Sequence, residues 1–497
     1  MQLFQFRGGV HPADQKAPTN GKPSVKMPLP KRLYVPLQQH IGAPAKPEVQ
    51  VGDKVLKGQL LAHSQGMISA PVHAPSSGAV LEITEHTAPH PSGLPVLTVV
   101  IATDGADRWL EETESPLDAL SMTPQEIATR VGNAGIVGMG GATFPSAVKL
   151  KLSARNEIHT LILNGGECEP YLTCDDRLMR EQPQNIVDGV RIILHTIKAK
   201  RAYLVVEDNK PEALAALQEA CQDFANIQAV QVPACYPMGS EKHMIQTVTG
   251  MEVPAGGLGA DIGVLVHNMG TAYAIHHAAR YANPLISRVV TVGGGAVKNP
   301  QNVEVLIGTP LQDVIEFCGG LHEAPARILM GGPMMGQLMP GLHVPVVKGT
   351  SGIIALTQAE TQPQQVTPCI RCGACVRACP CGLLPLQMAA HAKTGNLDKV
   401  VEFGLVDCVA CGCCSYVCPA HIPLVQYFNY AKGELAARQQ AKHKAEENRK
   451  LVELHKQRLE REKLAKEAAA AQRKAEAERK KAEKAAKAAK EQAAATA

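Results

Sequence analysis

The stretch Cys369-Ile370-Arg371-Cys372-Gly373-Ala374-Cys375-Val376-Arg377-Ala378-Cys379-Pro380 is answered 39 positions later by Cys408-Val409-Ala410-Cys411-Gly412-Cys413-Cys414-Ser415-Tyr416-Val417-Cys418-Pro419. Both runs read C-x2-C-x2-C-x3-C-P. Three thiolates at i, i+3 and i+6 can wrap three corners of one iron–sulfur cubane. The fourth Cys, turned away by the Pro behind it, reaches the other cluster. The spacing assigns Cys369, Cys372, Cys375 and Cys418 to one 4Fe-4S cluster, and Cys379, Cys408, Cys411 and Cys414 to a second. A disulfide framework would need an oxidising compartment, and nothing in the sequence suggests export. Structural zinc uses two close pairs rather than three thiols plus one before a repeated Pro. Cys381 and Cys413 fall outside the pattern and read as spare thiols.

Such a run is that of a two-cluster ferredoxin, so the segment should carry electrons. What feeds it must come from the rest of the chain. At 497 residues several domains are expected. No apolar run is long enough for a transmembrane helix, and residues 1–22 lack the apolar core of a signal peptide. Ten of the 15 cysteines fall between Cys369 and Cys418, a usage that fits a reducing compartment and metal work. Cys168, Cys174, Cys221, Cys235 and Cys318 are scattered and read as buried thiols. The formal charge of +4 hides a division: residues 431–497 hold 19 Lys and Arg against 11 Asp and Glu, and the remainder is mildly acidic. Nucleic acid is not an expected partner.

Upstream, residues 1–27 form an arm rich in Gly, Pro and Lys, read as a flexible leader from which no chemistry follows. Residues 28–118 alternate in short strands punctuated by Pro and Gly. Their phrases Val51-Gly52-Asp53-Lys54-Val55 and Ala70-Pro71-Val72-His73-Ala74-Pro75 resemble the barrel-sandwich hybrid of biotinyl and lipoyl carriers. Those carriers modify a Lys at a hairpin tip, and no Lys lies between His63 and Val80; a structural or docking role is expected instead.

Residues 119–285 alternate apolar strands, such as Thr160-Leu161-Ile162-Leu163, with helical stretches. Two turns there suit ligands. The glycines of Gly138-Met139-Gly140-Gly141-Ala142-Thr143-Phe144-Pro145 let backbone N–H groups approach a phosphate. Asn164-Gly165-Gly166-Glu167-Cys168-Glu169-Pro170 follows a strand, where α/β ligand sites sit. Either could equally be a packing turn or a solvated loop. Residues 286–350 read as strand, helix and strand, resembling a soluble-ligand-binding β-grasp (SLBB) module. A Gln/Pro linker over Gln358–Thr367 leads to the cluster domain, spanning 351–430. Residues 431–497 are Ala, Lys, Glu, Gln and Arg, a solvated helical or disordered tail. A basic helix of this kind also suits anionic lipid headgroups.

The order of these parts resembles the C-type subunit of the Rnf (also Rsx) ion-translocating electron-transport complex. Within it, the middle is similar to the NADH-binding flavoprotein subunit of respiratory complex I. That flavoprotein's R-G-G-A-G-F-P aligns with Met139 to Pro145, Met139 replacing Arg and Thr143 replacing Gly. Its N-A-D-E-G-E-P aligns with Asn164 to Pro170. Its Y-x-x-G-E-E aligns with Tyr236 to Glu241, Ser240 replacing the first Glu, and its Asn pair with His267-Asn268. The resemblance implies FMN and NADH at Gly138, Gly140, Gly141, Phe144, Lys149, Asn164, Glu167, Glu169, Tyr236, Glu241 and Asn268. Phe144 would stack on the nicotinamide and Lys149 would neutralise phosphate. Asn164 and Glu167 would touch flavin, and Glu169 would sit near NADH.

The fold class expected is therefore multidomain α+β: a barrel-sandwich hybrid, a Rossmann-like α/β flavin/NADH domain, a β-grasp domain, a ferredoxin-type domain with two 4Fe-4S clusters, and an Ala/Lys-rich helix. The resemblance implies an oxidoreductase component, peripheral on the cytoplasmic face of a bacterial inner membrane. Its partners would be a ferredoxin-like B-type subunit and integral membrane subunits that move an ion. Two other readings stay open: a flavin-free electron conduit and scaffold, or a complex that keeps a redox regulator reduced.

Overall fold

The computed structural model describes residues 2–111, 113, 115–361 and 364–495, so part of the expected Gln/Pro linker lies outside the described residues. The N-terminal β domain pairs two small antiparallel sheets. One has the order Arg32–Pro36, Pro95–Thr103, Gly78–Thr87, Lys54–Val55, and the other Lys46–Pro47, Leu60–His63, Val72–His73. Period-two alternation turns Leu33, Val35, Val99 and Ile101 inward to a shared core with Leu61 and Val80. At Gly78 the neighbouring strand comes so close that a Cβ would stand 2.0 Å from the Ala102 carbonyl oxygen.

The α/β domain is built on four parallel strands in the order Ile227–Val232, Arg201–Glu207, Thr160–Gly165, Val264–Asn268. Leu161, Ile162 and Leu163 are all fully buried, as expected of parallel strands covered on both faces. The chain runs outward from the Thr160 strand through two neighbours, then returns to lay Val264–Asn268 on its other side. This reversal is a topological switch point, and ligands of open α/β sheets bind in the crevice beyond it. Asn164 and Asn268 are register partners at the carboxyl ends of the two strands that bound the crevice.

The β-grasp region forms a six-stranded sheet, ordered Val25–Lys26, Gln301–Leu306, Ser287–Gly293, Gly352–Leu356, Arg327–Met330, Gln337–Leu338. Its first strand comes from the N-terminal arm, parallel to Gln301–Leu306. The arm is thus no free leader. Phe4 N–H donates to the Thr247 carbonyl (2.9 Å), and Val10 exchanges two backbone hydrogen bonds with Tyr236 (2.8 and 3.0 Å). These are contacts across more than two hundred residues, which a local reading of a Gly- and Pro-rich segment does not reveal.

The cluster segment repeats in its backbone as it does in its cysteines. Arg371, Gly373 and Gly382 have positive φ (54°, 74°, 66°), and so do Ala410, Gly412 and His421 (54°, 83°, 52°), each 39 positions on. Beyond it the helix Leu424–Ala495 carries the chain into a separate unit that begins at Asn429. Leu451, Leu454, Leu459 and Leu464 are all exposed on that helix, so it builds no core of its own. Among the described residues no helix is long and apolar enough to cross a membrane.

One lysine ties three domains together. Lys348, fully buried, donates from Nζ to the carbonyls of Pro71 (2.8 Å) in the β domain and Gly135 (2.7 Å) in the α/β domain. Gly135 sits at φ +66°, and a Cβ there would lie 2.6 Å from that ammonium, so the position suits glycine. Burial pushes the Lys348 pKa down to about 7 from 10.5. Above pH ~7 the folded lysine gives up its proton while the unfolded one keeps it to about 10.5, so its contribution to stability rises with pH across that window. The Lys348→Met variant lacks this term. In thermal melts, the stability difference, wild type minus variant, is expected to grow from pH 7 to pH 9; a difference that stays flat would contradict the assignment.

Candidate flavin and iron–sulfur site

The site begins at the end of the Thr160 strand. The Asn164 amide donates to the Gly239 carbonyl (2.8 Å), and its oxygen accepts from Gly166 N–H (2.9 Å), so one side chain fixes two turns. Glu167 turns back onto the helix Cys174–Glu181, whose first N–H groups have no partner within the helix. Its carboxylate accepts from Asp175 N–H (2.9 Å), Asp176 N–H (3.3 Å) and the Cys174 thiol (3.3 Å). Burial pushes the Glu167 pKa up to about 7, against the pull of Lys16. Asp175, raised by the same cause, receives the Asn268 amide at 2.6 Å. Asn164, Glu167 and Asn268 thus converge at the switch point.

Glu169, the other acidic residue of the turn, points away to the β-grasp domain. It accepts from the N–H groups of Met334 (2.9 Å) and Met335 (2.7 Å), and burial raises its pKa. The turn's own carbonyls are gathered by Lys16, a residue of the arm. Its Nζ donates to the carbonyls of Glu167 (3.0 Å), Glu169 (2.8 Å) and Leu172. Sequence reasoning missed Lys16 and Asp175 as parts of this site. The arm's Gly8-Gly9-Val10-His11-Pro12 and Lys16 fit the family resemblance, but that resemblance gives Lys16 no role, and its partners lie some 150 residues on.

The glycine-rich loop faces the same crevice. Gly140 lies against Asn268, where a Cβ would meet the Asn268 Cβ at 3.2 Å. Gly141, at φ +128°, has no heavy atom within 4 Å of a Cβ position, so the loop presents bare backbone to open space there. Gly138 N–H donates to the Phe144 carbonyl (2.8 Å), closing the loop, and Phe144 is half-buried. Thr143 takes a left-handed backbone (φ +46°) where the related motif has Gly. Met139 is buried, with its N–H on the Thr271 hydroxyl at 3.0 Å. Lys149 pairs with Glu241 (2.9 Å) and donates to the Val266 carbonyl (2.6 Å). Ser240 does not supply a carboxylate; its hydroxyl meets His243 Nδ1 at 2.8 Å. His267 is fully buried and held neutral, its pKa pushed down to about 3 by burial and then by Lys149.

The structure gathers four of the eight pattern cysteines. Cys379, Cys408, Cys411 and Cys414 line one apolar hollow with Leu383, Met388, Val409 and Phe428. Burial first, and the nearby Cys418 and Cys372 thiols after it, push the Cys375 thiol up. Corresponding N–H groups point at the first sulfur of each run: Arg371 N–H at Cys369 and Ala410 N–H at Cys408, both at 3.4 Å. Cys381 also borders the hollow, but its counterpart in the repeat is Ala420, and that of Cys413 is Ala374. Among the described residues no three His, Cys, Asp or Glu side chains converge on one metal ion. Cubane ligands bind different irons and stand further apart.

The two groups differ in surroundings. Cys369 and Cys372 are exposed, whereas Cys379, Cys411 and Cys414 are buried. The buried group packs on the α/β domain: Tyr236 donates its hydroxyl to the Cys411 carbonyl at 2.6 Å, and Val10, Cys168 and Met334 close the contact. A cavity of about 620 Å³ lies elsewhere, against His73, Gln125, Arg130 and Asn133, and touches none of the site residues.

This fold and site define an electron-transfer protein that joins an FMN-binding domain to a dicluster iron–sulfur domain. Family models agree along the chain: the RnfC barrel sandwich hybrid domain over residues 4–106, the Nuo51 FMN-binding domain over 131–277, the SLBB domain over 289–338 and the 4Fe-4S dicluster domain over 368–422. The C subunit of the ion-translocating oxidoreductase complex of Rhodobacter capsulatus is 51% identical over 89% of this chain and 85% of its own. The C subunit of the proton-translocating ferredoxin:NAD(+) oxidoreductase complex of Clostridium ljungdahlii is 45% identical over 87% and 94%. Its ion-translocating counterpart from Pseudomonas aeruginosa is 45% identical over 93% and 59%. The chain belongs to the C-subunit family of ion-translocating oxidoreductase complexes. A solved NAD+-reducing NiFe-hydrogenase overlaps 57% of this chain and 55% of its own at 20% identity, with a TM-score of 0.45.

Tyr236→Phe removes one hydroxyl and strands the Cys411 carbonyl. A buried acceptor left without its donor costs about 1–3 kcal/mol. The variant is expected to lose stability of that order in denaturant unfolding of the cluster-loaded protein; an unchanged midpoint would count against the contact.

Proposed function

We propose that this chain is the electron-input component of its complex, taking electrons from NADH at the FMN domain and passing them singly to a partner through two 4Fe-4S centres. Tyr236 carries this reading. It stands in the turn that Asn164 holds through Gly239, and its hydroxyl reaches the loop of Cys411. The flavin crevice and the buried cysteine group therefore meet at this contact.

The residues fit the groups they would hold. Bare backbone at Gly141 suits close approach of a phosphate or ring, beside Gly138, Gly140 and Phe144. Lys149 supplies a cation with Glu241 as its counter-charge, and Asn164 and Asn268 offer amides at the switch point. Glu167 and Glu169 hold the turn on which any flavin or NADH must rest. When bound, FMN accepts two electrons together and releases them one at a time, as iron–sulfur centres require. Cys379, Cys408, Cys411 and Cys414 would ligate the centre nearer the flavin, and Cys369, Cys372, Cys375 and Cys418 the centre nearer solvent.

The exposed cysteine group would face the electron acceptor, a ferredoxin-like B-type subunit. Integral membrane subunits would move the ion, and the chain would sit peripherally on the cytoplasmic face of the bacterial inner membrane. Kinship with a component of a ferredoxin:NAD(+) oxidoreductase supports NADH as the partner substrate.

The order of the two groups is open to test by anaerobic spectroscopy. The reconstituted wild type should hold about eight irons and FMN that bleaches on NADH addition. In Cys411→Ala the irons should fall to about four, with flavin bleaching kept and NADH no longer reducing the remaining centre at the wild-type rate. In Cys372→Ala the surviving buried centre should still be reduced. Protein that retains no FMN, or FMN that NADH leaves oxidised, would sink the input role and leave a conduit. Undiminished reduction in Cys411→Ala would reverse the order.

A further inference from the structure

The N-terminal arm touches both ends of the proposed electron step. Gly8 and Gly9 lie on the loop that carries Cys379. Gly9 N–H donates to the Ala378 carbonyl (3.1 Å), and a Cβ on Gly8 would stand 2.8 Å from the Cys379 carbonyl carbon and oxygen. Both glycines have positive φ (71° and 85°), so neither the backbone nor the space admits a side chain. Val10 pairs with Tyr236 through two backbone hydrogen bonds. Asp14 accepts from Tyr171 N–H (2.8 Å), and Lys16 then gathers the carbonyls of Glu167, Glu169 and Leu172.

Lys16 is 5% exposed, and no carboxylate lies within ion-pair distance of it among the described residues. A buried ammonium is costly unless donors and charges are matched. Here three carbonyl dipoles match it, and the match requires the 167–172 turn to keep its shape. Residues 8–16 thus reach from a cluster-ligand loop, past Tyr236, to the flavin turn, without passing through the sheet that separates them in sequence.

We infer that residues 8–16 are a positioning strap: Gly8 and Gly9 seat the Cys379 loop, Lys16 seats the Glu167–Glu169 turn, and the strap fixes the flavin crevice relative to the buried iron–sulfur centre. Lys16 is a positioning residue that acts through the turn. The flavin half of this inference rests on the function proposed above; the Cys379 half does not. The rate of a step between two held groups depends on how they are placed relative to each other, so the strap is well placed to govern electron transfer.

The test uses the full chain carrying both centres and FMN, with Lys16→Met and Gly8→Ala. In Lys16→Met the irons should stay at about eight. Cluster reduction after NADH addition should lag flavin bleaching by about tenfold or more relative to wild type. Simple loss of packing would not split those two signals. In Gly8→Ala, reduced directly by dithionite rather than by NADH, the electron paramagnetic resonance signal or midpoint potential of the Cys379-containing centre should shift, the other centre staying unchanged. If Gly8→Ala does not fold, Gly9→Ala, which presses on Cys235 and the Tyr236 carbonyl, replaces it with the same readout. Cluster reduction that keeps pace with flavin bleaching in Lys16→Met would overturn the flavin half. Wild-type signals from both centres in the glycine variant would overturn the other half. A wild type without FMN would remove the proposed function yet leave the dithionite arm standing.

Discussion

A carboxylate taken out of water must find donors, and Glu167 finds them at the start of a helix. Two backbone N–H groups and a thiol take its oxygens, while the ammonium of Lys16 stands close enough to oppose the rise in its pKa. Each group is costly to bury, and the turn satisfies both: the helix-start donors take the Glu167 carboxylate, and three carbonyls of the turn take the Lys16 ammonium. This arrangement draws the arm onto the α/β domain. It fixes the turn that continues to Glu169, and Glu169 in turn takes the Met334 and Met335 N–H groups of the β-grasp domain. Three parts of the chain are thus registered on each other by one short acidic turn.

The cysteine groups are legible in the sequence because their spacing answers to a covalent requirement. Ligands of a cubane must recur at fixed offsets whatever surrounds them. The strand before Asn164 is legible for a similar reason: Leu161, Ile162 and Leu163 form the continuous apolar run of a strand buried on both faces. That Asn164 and Asn268 stand side by side is a property of strand order, which no window of sequence contains. The arm reads as a leader because its partners, Tyr236, Ala378 and Glu167, are distant in the chain. Gly8 and Gly9 suggest flexibility on paper, yet their positive φ and crowded Cβ directions show glycines suited to close approach.

Substitutions within the related flavin motifs are absorbed in different ways. Met139, where the motif has Arg, is buried and packs its methyl near Gly270. It serves the core beneath the loop and brings no charge. Thr143, where the motif has Gly, takes the left-handed backbone that Gly would have taken freely and so carries a modest strain. Ser240 turns its hydroxyl to His243. Of the cations near the crevice, Lys149 pairs with Glu241, while Lys16, Lys210 and Arg288 stand behind the turn.

The internal repeat makes two backbones alike and then places them in unlike surroundings. Positive φ recurs at matching positions, and matching N–H groups aim at the first sulfur of each run. One group, however, is packed beneath Tyr236, and the other leaves Cys369 and Cys372 exposed. Potentials of such centres depend on net charge, hydrogen bonds to sulfur and exposure to solvent. Adding an electron to an anionic centre costs more where the surroundings are apolar, since burial disfavours charge. The bonds to sulfur differ as well: Leu383 N–H points at the Cys379 sulfur at 3.4 Å, so exposure and hydrogen bonding together set the two groups apart.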